Sequence, residues 1–175
     1  MNKKFLSIIV VLLVVTLMTT SVSAGGAVRL TGVQFRLGSL IADGFVKGFG
    51  RTDITVVLDA SGIPAITCTN PGGHDVPGHS YPKVFASGQQ NLLGTDPITK
   101  NRRSPFSTET VDPETLPWDV AGCPNSNWTA RIDFIFWTNA TISVYVTATN
   151  ALLTKQNYDC ITTRDPAGVS CTLVP

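Results

Sequence analysis

Along most of the chain, apolar side chains recur at every second position, the period at which a strand turns one face to a core. From Asp53 to Ala60, the residues Ile54, Val56, Leu58 and Ala60 fall on one face, with Thr55, Val57 and Asp59 on the other. The run from Thr129 to Trp137 places Ile132, Phe134 and Phe136 together, and Thr141 to Thr149 answers with Ile142, Val144, Val146 and Ala148. This pattern predicts a hairpin with Thr138, Asn139 and Ala140 as its connection. Weaker alternation predicts strands over 27–36, 39–47, 63–69, 83–87, 104–111, 152–163 and 169–173. Helical periodicity is almost absent. About nine or ten short strands separated by Gly and Pro imply an all-β fold: an antiparallel two-layer sandwich, immunoglobulin-like, with a closed β-barrel as the alternative. Ile54, Val56, Leu58, Phe134, Phe136, Val144 and Val146 are its expected core.

The alternating pattern fails at the N-terminus, where Lys3 and Lys4 precede an apolar run from Phe5 to Met18 and a small-residue stretch ending at Ala24. That order is the grammar of a secretory signal peptide cleaved after Ala24. The apolar run is shorter than the roughly 20 residues needed to span a bilayer as a helix. Residues 25–175 are therefore expected as one secreted, extracellular β domain with no stable membrane anchor. The chain holds 13 basic and 12 acidic residues. Losing Lys3 and Lys4 with the leader leaves 13 less 2 against 12, a net charge of −1. Charge clusters only at Asn101-Arg102-Arg103, which argues against a nucleic-acid partner.

Export changes how the four cysteines read, because in an oxidising compartment they are expected as two disulfides. Three connectivities are open to Cys68, Cys123, Cys160 and Cys171. Cys160 and Cys171 flank Asp165-Pro166-Ala167-Gly168, a sequence suited to a type I turn, and are the natural pair. That leaves Cys68 with Cys123. A hairpin centred on the turn would set Cys160 opposite Leu173, so the sulfurs would lie diagonally and closure would need a bulge or a looser loop. The long Pro-bearing segment from Asp112 to Asn127 is expected as a crossover pinned by Cys123, with Trp118 on the sandwich edge.

Three segments carry a resemblance. Gly48 to Ile54, Cys68-Thr69-Asn70-Pro71-Gly72-Gly73-His74 with Pro77-Gly78, and Ala121 to Thr129 (Ala-Gly-Cys-Pro-Asn-Ser-Asn-Trp-Thr) resemble the landmarks of an uncharacterised family of small exported proteins, chiefly bacterial. The likeness spans roughly Asp43 to Cys171. It implies a shared secreted β domain with disulfides rather than free thiols, and Trp128 packed beneath the Cys123 disulfide. It implies no reaction and no ligand. The chain departs from the pattern at His74 and His79, where the family is expected to carry Asn and Gln.

Candidate chemistry is sparse. His74, Asp75 and His79 lie within six residues around a Pro-Gly bend and form a candidate metal site that lacks a further ligand. Ser80 and Ser87 lie near His79 without a nucleophile elbow. Glu109 and Glu114, the only glutamates, sit in or beside the Pro-rich segment rather than as a catalytic carboxylate pair. Asp53, Asp59 and Asp133 read as polar-face residues. Trp137 and Tyr145 are the candidate binding surface, an aromatic platform for a glycan or an envelope or extracellular protein. Asn127 and Asn139 begin glycosylation sequons. The sequence implies no cofactor and no catalytic residues, and points to a secreted structural or binding module. The alternative is a small secreted metal-dependent or hydrolytic enzyme using His74 and His79.

Overall fold

The computed structural model describes residues 27–95 and 103–175, so the leader and the Asn101-Arg102 part of the basic triplet lie outside the described residues. The chain forms strands β1 (Arg29–Arg36), β2 (Ile41–Lys47), β3 (Ile54–Thr69), β4 (Asp75–Pro77), β5 (Val84–Leu92), β6 (Arg103–Glu109), β7 (Thr115–Leu116), β8 (Thr129–Val146), β9 (Leu152–Arg164) and β10 (Ala167–Leu173). All pairings are antiparallel. A small sheet, β1-β2-β6, packs over part of a large one that runs β10-β9-β8-β3, with β5 and then β4 end to end along the far edge of β3. The sheets do not close into a barrel. This is the predicted sandwich.

The spine is a ribbon of two long strands, β3 with 16 residues and β8 with 18, paired from Ile54↔Val146 to Thr69↔Thr129. Here the structure corrects the predicted hairpin. Thr138, Asn139 and Ala140 are not a connection; they lie inside β8, which runs unbroken. Two register shifts make this possible, one leaving Thr138 and the other Asp133 without a partner on β3. Each bulge advances β8 by one residue, and a one-residue slip exchanges the faces of a strand. The inward set is therefore Ala130 and Ile132, then Ile135 and Trp137, then Ala140, Ile142 and Val144, opposite the even residues of β3. Ile54, Val56, Leu58 and Val144 are buried as expected, whereas Phe134, Phe136 and Val146 are only half-buried. The rings of Phe134 and Phe136 meet edge to face on the outer side, 5.0 Å apart.

Local chemistry fits these irregularities. Gly62 sits at the Thr138 bulge, where a Cβ would lie 2.6 Å from the Phe136 carbonyl oxygen, so the backbones can approach only without a side chain. Pro64, with no N–H to give, occupies the gap where β5 has ended and β4 has not begun.

The two layers meet in a core that includes Leu40, Val46, Phe106, Leu58, Trp137 and Ile142, with Phe35 and Tyr158 edge to face across the layers at 4.9 Å. At one side the sheets run into each other. Val111 N–H donates to the Ser87 carbonyl at 2.9 Å, and a Cβ on Gly88 would fall 1.7 Å from the Glu109 oxygen. Beyond the small sheet, the far end of the ribbon is covered instead by the crossover. Ala121 and Cys123 pack on Ile66, Cys68 and Ala130, with Trp128 beside them, and the Cys68–Cys123 disulfide fastens the crossover to β3. Trp118 is partly exposed at its edge. Cys160 and Cys171 are bonded and stand directly opposite, not diagonally. The turn centres on Asp165-Pro166, one residue earlier than predicted, with a cis peptide bond. No described cysteine is free, which fits an oxidising environment. No helix among the described residues is long and apolar enough to cross a membrane.

Candidate functional site

The predicted aromatic platform does not form. Trp137 is 1% exposed and points into the core, because the Asp133 bulge sets it on the inward face. Tyr145 lies on the opposite, outer face beside Thr55, half-buried. The two rings are thus on different sides of β8. His74, Asp75 and His79 are exposed around β4. Asp75 accepts a hydrogen bond from the Thr69 hydroxyl at 2.6 Å, and the His74 N–H donates to the Asn70 side chain at 2.9 Å. Among the described residues, no three His, Cys, Asp or Glu side chains gather in a metal-holding group. Asn127 and Asn139 are both exposed, but the Asn139 amide already donates to Asp159 at 3.1 Å.

A different place combines shape with chemistry. On the outer face of the small sheet lies an open depression of about 490 Å³, lined by residues of β1, β2, β5 and β6. Its origin is a bulge in β1 between Thr31 and Gln34, with Gly32 at φ 63°. Gly32 leaves that corner without a side chain, beside the Phe45 ring. The bulge also exchanges the faces of β1, turning Val33 and Phe35 inward and Gln34 and Arg36 outward.

Register then lays the lining in two bands. Gln34, Asp43 and Ser107 stand opposite one another across three strands, and Gln90 extends the row because its Oε1 accepts from the Ser107 N–H at 2.8 Å. Beside them Phe45 and Pro105 form an apolar band. The Asp43 carboxylate is gripped by both ends of the Arg36 fork, at 2.7 and 3.1 Å. That contact first, with a hydrogen bond from Ser107, holds its carboxyl below the usual range despite partial burial. The Arg103 guanidinium lies 4.5 Å from the centre of the Phe45 ring. An aromatic face, a fixed carboxylate and two carboxamides can together bind a polyhydroxylated ring, stacking its C–H face and accepting from its hydroxyls.

Sequence reasoning missed this site. Its one local sign is Asp43 and Phe45 alternating with Ala42 and Val46, an acid and an aromatic on the face that turns away from the core.

No family model and no curated protein matches the chain. Among solved structures it is similar to parts of Bacteroides uniformis β-glucuronidases. For a β-glucuronidase the identity is 15% and the TM-score 0.29, covering 77% of this chain and 12% of that one. For a β-glucuronidase 2 covalently bound to cyclophellitol-6-carboxylate aziridine the values are 16% and 0.28, with the same coverage. The chain thus spans only a small part of the length of these structures.

Proposed function

We propose that the protein is exported by its leader, Met1 to Ala24, and works outside the cell as a non-catalytic binding module. Its site is the depression around Phe45, and its ligand a neutral glycan. The observation that carries this reading is the polar row Gln34, Asp43, Ser107 and Gln90 set beside the Phe45 ring on a rigid sheet, with Asp43 already fixed by Arg36. Prior fixation lowers the ordering cost of binding. Export is supported by the leader pattern and by the two disulfides.

The test is a titration of ¹⁵N-labelled protein with neutral oligosaccharides, read on the backbone of Gly32 and Gly44 and the side-chain amides of Gln34 and Gln90. Saturable shifts confined to these groups, lost in Phe45→Ala and weakened in Asp43→Asn, are expected. Saturable shifts centred on the His74 to His79 loop, or none with any sugar tried, would overturn the reading.

A further inference from the structure

The outer face of the large sheet carries a second, independent feature. Where the small sheet is absent from this side, Ile63, Phe85 and Ile161 are 41%, 72% and 73% exposed. Ile63 stands opposite Phe136, and Ala65 opposite Phe134, so these side chains share one surface. Phe85 opposes Ser61 one step away. Ile161 joins them from β9, where the neighbouring Thr162 hydroxyl donates to the Trp137 carbonyl at 3.1 Å.

Charge is divided across this apolar centre. To one side lie Lys83, near the Phe85 ring, with Arg131 and Arg164 around Asp133, which Arg131 holds at 2.9 Å, so that this end keeps a net positive charge. To the other lie Asp59 and Asp159, in the two rows that also hold Thr141 and Asn139, with Lys155 one row further out opposite Ser143, so that this end keeps a net negative charge. Thr67, opposite Arg131, and Asp59 are each four residues along β3 from Ile63, or about 13 Å in opposite directions. A two-fold axis through Ile63 and Phe136 would therefore lay the basic end of one copy on the acidic end of the other. That self-complementarity is what a two-fold symmetric interface requires.

We infer that this face pairs with a second copy of the chain, Ile63, Phe134 and Phe136 meeting around the axis and Arg131 and Arg164 facing the partner's Asp59 and Asp159. The face spans about 26 Å along the strands and four strands across at ~4.8 Å spacing, on the order of 500 Å² per copy. An interface of that size belongs to a reversible dimer rather than an obligate one. The depression around Phe45 lies on the opposite layer and stays open, so pairing would present two ligand sites facing away from each other.

Sedimentation velocity on protein secreted by cells expressing the full 175-residue chain tests this, run over rising concentration up to about 1 mM and at low and high salt. The expected result is a monomer–dimer equilibrium that weakens with salt. Asp59→Lys with Asp159→Lys forms one variant, and Arg131→Glu with Arg164→Glu the other. Each alone should sediment as a monomer with an unchanged far-ultraviolet spectrum. Mixed in equal amounts, they should form a heterodimer. A parent chain that stays monomeric throughout, or a mixture that fails to associate while the parent dimerises, would overturn the inference. Loss of ligand shifts at Gly32 and Gly44 would bear on the binding reading alone.

Discussion

The two ends of the β3–β8 ribbon share the same pair of strands yet are held together by different means. In the body, the small sheet lies over the ribbon and, among the described residues, 20 buried hydrophobic ones form one cluster. At the far end five such described residues do the same work, and two of them are the cysteines of the disulfide. Apolar burial stabilises by roughly 25 cal/mol for each Å², so the body can hold itself together while the far end depends on its covalent tie. Chain-entropy reasoning gives the Cys68–Cys123 link about 4 kcal/mol for its separation of 55 residues. The Cys160–Cys171 link spans only 11 residues and bridges strands already paired by their backbones. Where hydrophobic area is scarce, the crosslink replaces it; where area is ample, the crosslink reinforces it.

The largest expected effect separates the two faces of β8 within the body. Trp137→Ala should cost ~3–5 kcal/mol in chemical denaturation, since it empties a fully buried site. Phe134→Ala, on the outer side, should cost less than about 1.5 kcal/mol. The reverse order would show that the bulges at Asp133 and Thr138 are misplaced.

A smaller effect, opposite in sign, lies in the small sheet. The Thr108 side chain is 1% exposed and its hydroxyl has no hydrogen-bond partner among the described residues. Thr108→Val should raise stability by about 1 kcal/mol, by removing a buried unsatisfied group without changing shape. A loss would mean that the hydroxyl is satisfied.

The smallest effect concerns pH at the junction of the sheets. Burial raises the Asp112 carboxyl above its ordinary value, and the Thr110 hydroxyl, at 2.6 Å, only partly opposes this. A raised acid favours the folded state below the unfolded value, and that contribution is lost as pH rises through the folded value. Asp112→Asn should therefore flatten the melting-temperature profile just above pH ~4. At the far end, Asp133 is lowered, first by the Thr67 hydroxyl, and there stability should instead fall as pH drops.

Much of the body was legible in the sequence, because period two needs only apolar residues in order. Ile54, Val56 and Leu58 show it, and so does the pairing of Cys160 with Cys171. The bulges were not legible. A bulge inserts a residue of almost any type, and the apolar run Ile132, Phe134, Phe136 continues through Asp133 without a mark. Gly62 and Pro64 on the partner strand were the only trace, being residues that a regular central strand avoids. From that single slip followed the error on Trp137. The depression stayed hidden for another reason: Gln34, Ser107 and Gln90 come from three different strands and meet Asp43 only through register.

The contrast between the two ends is tested most directly by hydrogen exchange on the Cys68→Ala, Cys123→Ala double variant beside the parent chain. Protection should fall at 66–69, 75–78 and 129–132, while amides at 54–60 and 140–144 keep theirs, as expected when a locally opened segment does not carry the core with it. Equal loss of protection along the whole length of β3 and β8 would contradict the account, showing that the ribbon is one cooperative unit with no separately tied end.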